Sequence, residues 1–132
     1  MAARILIIED DQDFLDVVTY LLKSAGHTIL SATNGQEGLE KAHQEKPDLI
    51  LTDLMLPRLN GYEVCTMLKQ DVRYRKIPII MLSATKVQEK DEQLAKECGA
   101  DAFLLKTLGP KHLAAKVQEM LSPSPAPRDA AP

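Results

Sequence analysis

The sequence predicts an α/β domain whose five-stranded parallel sheet is covered by helices on both faces. Three features predict it. Short apolar runs alternate with stretches whose apolar residues recur at helical spacing. The third and fourth of these runs are apolar at nearly every position, as strands buried on both faces must be. The length, 132 residues, is that of one domain with a sizeable core. Strands that alternate with helices imply right-handed crossovers, and hence parallel pairing.

The elements follow in order. Ile5-Leu6-Ile7-Ile8 is the first strand, and Phe14, Val17, Val18, Leu21, Leu22 and Ala25 form the stripe of a helix stopped at Gly26. Thr28 to Ala32 is a second, more polar strand suited to a sheet edge. Asn34-Gly35 then opens a helix through Leu39 and Ala42 that ends before Pro47. The third strand runs from Asp48 to Asp53. A loop with Pro57, Asn60 and Gly61 leads to a helix expected to turn Val64, Met67 and Leu68 inward. The fourth strand is expected from near Ile77, with Pro78 tolerated at its start. A charged helix over about Val87 to Cys98 carries a thin stripe of Val87, Leu94, Ala95 and Cys98 and is capped by Gly99. Asp101 to Leu105 is the fifth strand, and a last helix from near Pro110 places Leu113, Val117, Met120 and Leu121 inward.

From Ser122 the composition changes. Residues 122–132 hold four of the eight prolines and no apolar periodicity, so the expected division is a folded domain over 1–121 and a Pro/Ala/Ser tail or linker stub over 122–132. Sixteen Lys and Arg against nineteen Asp and Glu give a net charge of −3, with no basic surplus to favour nucleic acid as a direct partner. No apolar run approaches the ~18 residues of a membrane span, and the run after Arg4 is too short for a signal-peptide core, so cytoplasmic residence is the default expectation. Cys65 and Cys98 lack metal-ligand spacing and read as small buried residues in a reducing compartment. His27 at a helix end, and His43 and His112 in polar helical stretches, are expected at the surface.

Function is concentrated where the apolar runs stop. Glu9-Asp10, Asp53, Ser83 and Lys106 each follow one, so in a parallel sheet all five side chains reach the carboxyl edge, where open α/β sheets bind ligands. Asp11 and Asp13 suit a helix N-terminus, Asp11 as its cap. Asp53 is too far from the next helix to cap it, and a carboxylate beside Leu51 and Leu54 costs free energy unless a cation or hydrogen bonds compensate. A second carboxylate site nearby makes a shared Mg²⁺ favourable. A hydroxyl and an ammonium, from Ser83 and Lys106, are what phosphoryl oxygens require.

The set Glu9-Asp10, Asp53 with Pro57 and Gly61, Ser83-Ala84 and Lys106 resembles the receiver domain of two-component response regulators over residues 4–121. The resemblance implies a flavodoxin-like, doubly wound sheet in strand order 2-1-3-4-5. It implies that Asp53 is the phosphoryl acceptor, and that Asp10, Asp53 and the backbone carbonyl of Met55 ligate Mg²⁺, with Glu9 acting through water. Ser83 and Lys106 would contact the phosphoryl oxygens, and Ser83 and Phe103 would form the switch that remodels the surface over 87–121. The implied partners are a sensor histidine kinase or histidine phosphotransfer protein and a downstream effector protein or domain. Chemistry would be limited to self-phosphorylation and hydrolysis of the acyl phosphate. Family members usually carry proline after the lysine, commonly with a cis bond; Thr107 stands here, so Lys106–Thr107 is expected to be trans or else strained.

Other classes fit less well. A haloacid-dehalogenase-like phosphatase needs a second Asp two residues after the first, where this chain has Met55. No Walker-type or dinucleotide-binding glycine loop is present, and Asp10–Asp13 lacks the Gly and terminal Glu of a calcium hand. A receiver-like module that binds partners without phosphorylation, and a DNA-binding regulator cut after its receiver, are the remaining alternatives.

Overall fold

The computed structural model describes residues 2–84 and 89–121. The strands are β1 (Arg4–Ile8), β2 (Thr28–Ala32), β3 (Leu49–Asp53), β4 (Ile79–Ser83) and β5 (Ala102–Leu105). The helices are α1 (Gln12–Ser24), α2 (Gly35–Glu45), α3 (Gly61–Lys69), α4 (Glu89–Glu97) and α5 (Pro110–Leu121), with a 3₁₀ turn over Lys106–Leu108. All pairings are parallel and the order is β2-β1-β3-β4-β5, the topology the resemblance implies. The polar second strand is indeed an edge. Val87 and the tail over 122–132 lie outside the described residues.

Alternation along the strands sorts the core into two halves, because successive side chains point to opposite faces. Leu6, Ile8, Ile50, Ile79 and Met81 meet Leu39 and Ala42 of α2, Val64, Cys65 and Leu68 of α3, and Ala95 of α4. Ile5, Ile7, Leu49, Leu51, Ile80 and Leu82 meet Leu15, Val18 and Leu22 of α1 and Leu113 and Val117 of α5. Both cysteines are free and buried, and the Cys65 thiol donates to the Cys98 carbonyl at 3.4 Å.

Helix starts follow local chemistry. Asp11 accepts from the Phe14 amide at 3.3 Å, and Asn34 accepts from that of Glu37 at 2.8 Å. Asn60 and Glu63 form a reciprocal capping box on α3. That cap confirms why Asp53 is not committed to a helix end.

Several expectations are corrected. The buried stripe of α1 is Leu15, Val18 and Leu22, while Val17 is 47% exposed and Ala25 is exposed. In α3 it is Cys65 that turns inward beside Val64 and Leu68, and Met67 is 48% exposed. In each helix the apolar residues cover a wider arc than the sheet can bury, so position on the 3.6-residue turn decides. β4 starts at Ile79, not Ile77; the Pro78 carbonyl still accepts the Ile50 amide at 3.0 Å. Asp48 and Asp101 fall just outside β3 and β5, where their carboxylates accept the amides of Arg4 and Ile79, both at 2.8 Å. His27 is buried, not a surface residue. Its Nδ1 accepts the Ala3 amide at 3.1 Å, and Nε2 lies 3.3 Å from Gln118 Oε1 on α5. Among the described residues no peptide bond is cis, so Lys106–Thr107 is trans.

Candidate functional site

Parallel strands bring their last residues to one edge, and there the polar residues converge. Glu9 and Asp10 follow β1, Asp53 ends β3, Ser83 ends β4, and Lys106 follows β5. Glu9, Asp53 and Ser83 are buried, whereas Asp10 is exposed. Asp53 continues the row of Leu49 and Leu51, and pairs in register with Leu82. The loop after β3 is folded back on the site by Gly61, whose amide donates to the Leu54 carbonyl at 3.1 Å. A Cβ on Gly61 would stand 2.1 Å from the Asp53 carbonyl oxygen, so only glycine allows this approach.

Lys106 ties the carboxylates together. Its Nζ donates to Asp53 Oδ2 at 2.8 Å and lies 2.6 Å from Glu9 Oε1. The side chain is only 12% exposed, so these charges interact with little screening by water. Asp53 Oδ1 accepts the Met55 amide at 3.2 Å, and Glu9 Oε2 accepts the Asp11 amide at 3.0 Å. The Met55 backbone is thereby placed beside Asp53, while its side chain is exposed. The Lys106 ammonium also stands 4.9 Å from the centroid of the Phe14 ring, on the first turn of α1.

The charge balance of this edge is uneven. Burial pushes the Glu9 carboxyl above its ordinary range; bonds from Lys106 and the Asp11 amide pull it back, and the Asp53 charge adds to the rise. Burial works against the Lys106 ammonium, but Asp53 and Glu9 more than offset it and hold its pKa above the usual lysine value. The lysine is therefore charged throughout the physiological range.

One carboxylate oxygen from each of Glu9, Asp10 and Asp53 lies within 4.8 Å of the others. Glu9 Oε1 is buried, and its close partner among the described residues is the Lys106 ammonium at 2.6 Å. An all-oxygen donor set from three carboxylates fits a hard divalent cation such as Mg²⁺.

The remaining candidates are placed more loosely. Ser83 sits on the strand between Asp53 and Lys106. Phe103 is half-buried on β5 against the α4 side of the core, where with Ala95, Lys96 and Ala100 it lines a cavity of 190 Å³. His27 lies at the opposite, amino-terminal end of the strands, and His43 stacks on Tyr74 at a centroid distance of 4.7 Å. The sequence assigned Phe14 only to a core stripe. Its place four residues after Asp10, with side chains of a first turn leaning towards the helix N-terminus, is the signal that points it at the site.

The same chain matches the model of the response regulator receiver domain over residues 5–118. The chain belongs to the response regulator receiver family. The receiver is 40% identical over 121 residues to the alkaline phosphatase synthesis transcriptional regulatory protein PhoP of Bacillus subtilis, covering 92% of this chain and 49% of that protein. It is 37% identical to the DNA-binding response regulator MtrA of Mycobacterium tuberculosis, over 92% of this chain and 51% of that protein. The receiver thus spans about half the length of the curated relatives it matches. Among solved structures, the chemotaxis response regulator CheY4 of Vibrio cholerae superposes with a TM-score of 0.84 at 29% identity, covering 92% of this chain and all of that one (100%).

Proposed function

We propose that this receiver is a phosphorylation-dependent switch that accepts a phosphoryl group on Asp53. The observation that carries the reading is the Asp53 carboxylate at the carboxyl edge, bonded to Lys106 at 2.8 Å and grouped with Glu9 and Asp10. A carboxylate oxygen of Asp53 attacks phosphorus in line. The bond from phosphorus to a phosphohistidine nitrogen, or to the oxygen of a small acyl phosphate, breaks with its electron pair going to the leaving atom. Lys106 stays protonated and takes up charge on the phosphoryl oxygens, joined by the Ser83 hydroxyl. Glu9, Asp10, Asp53 and the Met55 carbonyl would hold Mg²⁺, which supplies neutralisation of the crowded negative charge. Attack of water on the acyl phosphate returns Asp53 and inorganic phosphate, so net chemistry is confined to the chain's own acceptor.

The donor in this reading is a sensor histidine kinase or a histidine phosphotransfer protein. Ser83 moving towards the phosphoryl group and Phe103 turning further inward would remodel the surface over 87–121 for an effector protein or domain. The cavity beside Phe103 supports this by giving the ring space to move. Residues 1–121 act as the receiver and 122–132 as tail or linker. Two free thiols, and the absence among the described residues of a helix long and apolar enough to cross a membrane, are compatible with action in the cytoplasm.

Intact-mass measurement with Mg²⁺ and acetyl phosphate tests the assignment. One phosphoryl group is expected on the native chain and none on Asp53→Asn. No donor-dependent gain, even when beryllofluoride is supplied as a stable mimic, or an equal gain in the variant, overturns it. The first outcome would favour a module that binds partners without phosphorylation, and the second an acceptor elsewhere in the chain.

A further inference from the structure

Lys106 has to serve two sets of anions in turn. In the free chain two of its three N–H donors go to Glu9 and Asp53, and a phosphoryl group on Asp53 would draw the ammonium away from Glu9. Phe14 is the neighbour that fits both states. The ring is half-buried, packs against the α1–α5 half of the core, and has its centroid 4.9 Å from Nζ. An aromatic face attracts a cation without offering a lone-pair acceptor, so it holds the charge near the site without fixing which oxygen it meets. A carboxylate in that place would pin the lysine, and an aliphatic side chain would cover it without attracting it.

We propose that Phe14 is a positioning residue for Lys106, its ring face keeping the ammonium at the site while it passes from Glu9 to the incoming phosphoryl group. The inference rests on Asp53 being the acceptor.

The test compares native protein with Phe14→Leu, which keeps apolar cover, and Phe14→Tyr, which keeps the ring face. Two readouts are taken on variants shown by thermal melting to be folded. The first is the rate of phosphorylation by acetyl phosphate with Mg²⁺, resolved into maximal rate and donor concentration dependence. The second is the proton chemical shift of the Lys106 Cε methylene, which a ring held over the ammonium moves upfield. The expected result is a maximal rate lowered about fivefold in Phe14→Leu, with near-native rate in Phe14→Tyr, for a cation–π contact in a partly desolvated setting. The upfield shift should persist in Tyr and vanish in Leu. A native rate in Phe14→Leu, or equal slowing in both variants, overturns the proposal, the latter showing packing alone. Absence of phosphorylation in the native protein would instead refute the acceptor assignment, while the methylene shift still reports whether the ring holds the lysine.

Discussion

Glu9 shows at single-residue scale how a site can be expensive and still be kept. Its carboxylate is buried beside Asp53, and burial raises its pKa. A folded state that holds a proton more tightly than the unfolded one loses relative stability as pH rises through the raised value. The Glu9 contribution to stability of the metal-free chain should therefore grow as pH is lowered through the raised value towards the ordinary carboxylate range, a trend that Glu9→Gln should flatten. At neutral pH the same variant is expected to melt about 3–5 °C higher, equivalent to about 1 kcal/mol, because a like charge leaves the cluster. Its Mg²⁺ affinity should fall about tenfold, since an orienting oxygen is lost. Calorimetry for stability and titration for metal would check the two signs together. Loss of both stability and affinity would mean that the Lys106 pair outweighs the burial of Glu9. These energetics were only half legible in the sequence. The acidic pair after Ile8 was visible, but that Glu9 is buried while Asp10 is exposed depends on how the chain turns into α1.

At the scale of elements, strands were easier to read than helix faces. An apolar run that ends in Asp53 or Ser83 marks both a strand and its polar terminus, because a strand buried on both faces stays apolar until it leaves the sheet. Helix α1 offered Val17, Val18, Leu21 and Leu22 with similar chemistry, and only the sheet decides that Leu15 goes inward and Val17 outward. The contacts of His27 with Ala3 and Gln118, and of Phe14 with Lys106, join residues remote in sequence, and local pattern holds no record of them. The loop after β3 carries its own test. Gly61→Ala would drive a methyl into the Asp53 carbonyl, and a loss of roughly 1–3 kcal/mol is expected, measured by denaturant unfolding. Phosphorylation should slow as well, because the carbonyl pushed aside belongs to Asp53, the proposed acceptor. A neutral effect on both would show that the loop is free to move away from the site.

For the whole molecule, the fold sets five strand ends side by side and leaves the polar work to them. Binding only to the folded state raises its stability, by about 2.7 kcal/mol at a ligand concentration one hundred times the dissociation constant. Saturating Mg²⁺ should thus raise the melting temperature of the native chain and do so far less in Asp53→Asn. Equal shifts would place the cation elsewhere. The contact of Lys106 with Glu9 Oε1 and Asp53 Oδ2 gives this site a logic of its own. In the resting chain the lysine occupies two of the oxygens that a metal ion would use, so a cation arriving alone must compete with it. A phosphoryl group would offer the lysine another anion, and so release the Glu9 oxygen. Each arrival would then lower the cost of the other, and thermodynamic reciprocity would make the coupling in binding the same in both directions. On the proposed function the edge would act as a coincidence detector, and metal titration with and without a phosphoryl mimic would read the coupling as tighter binding of each in the presence of the other.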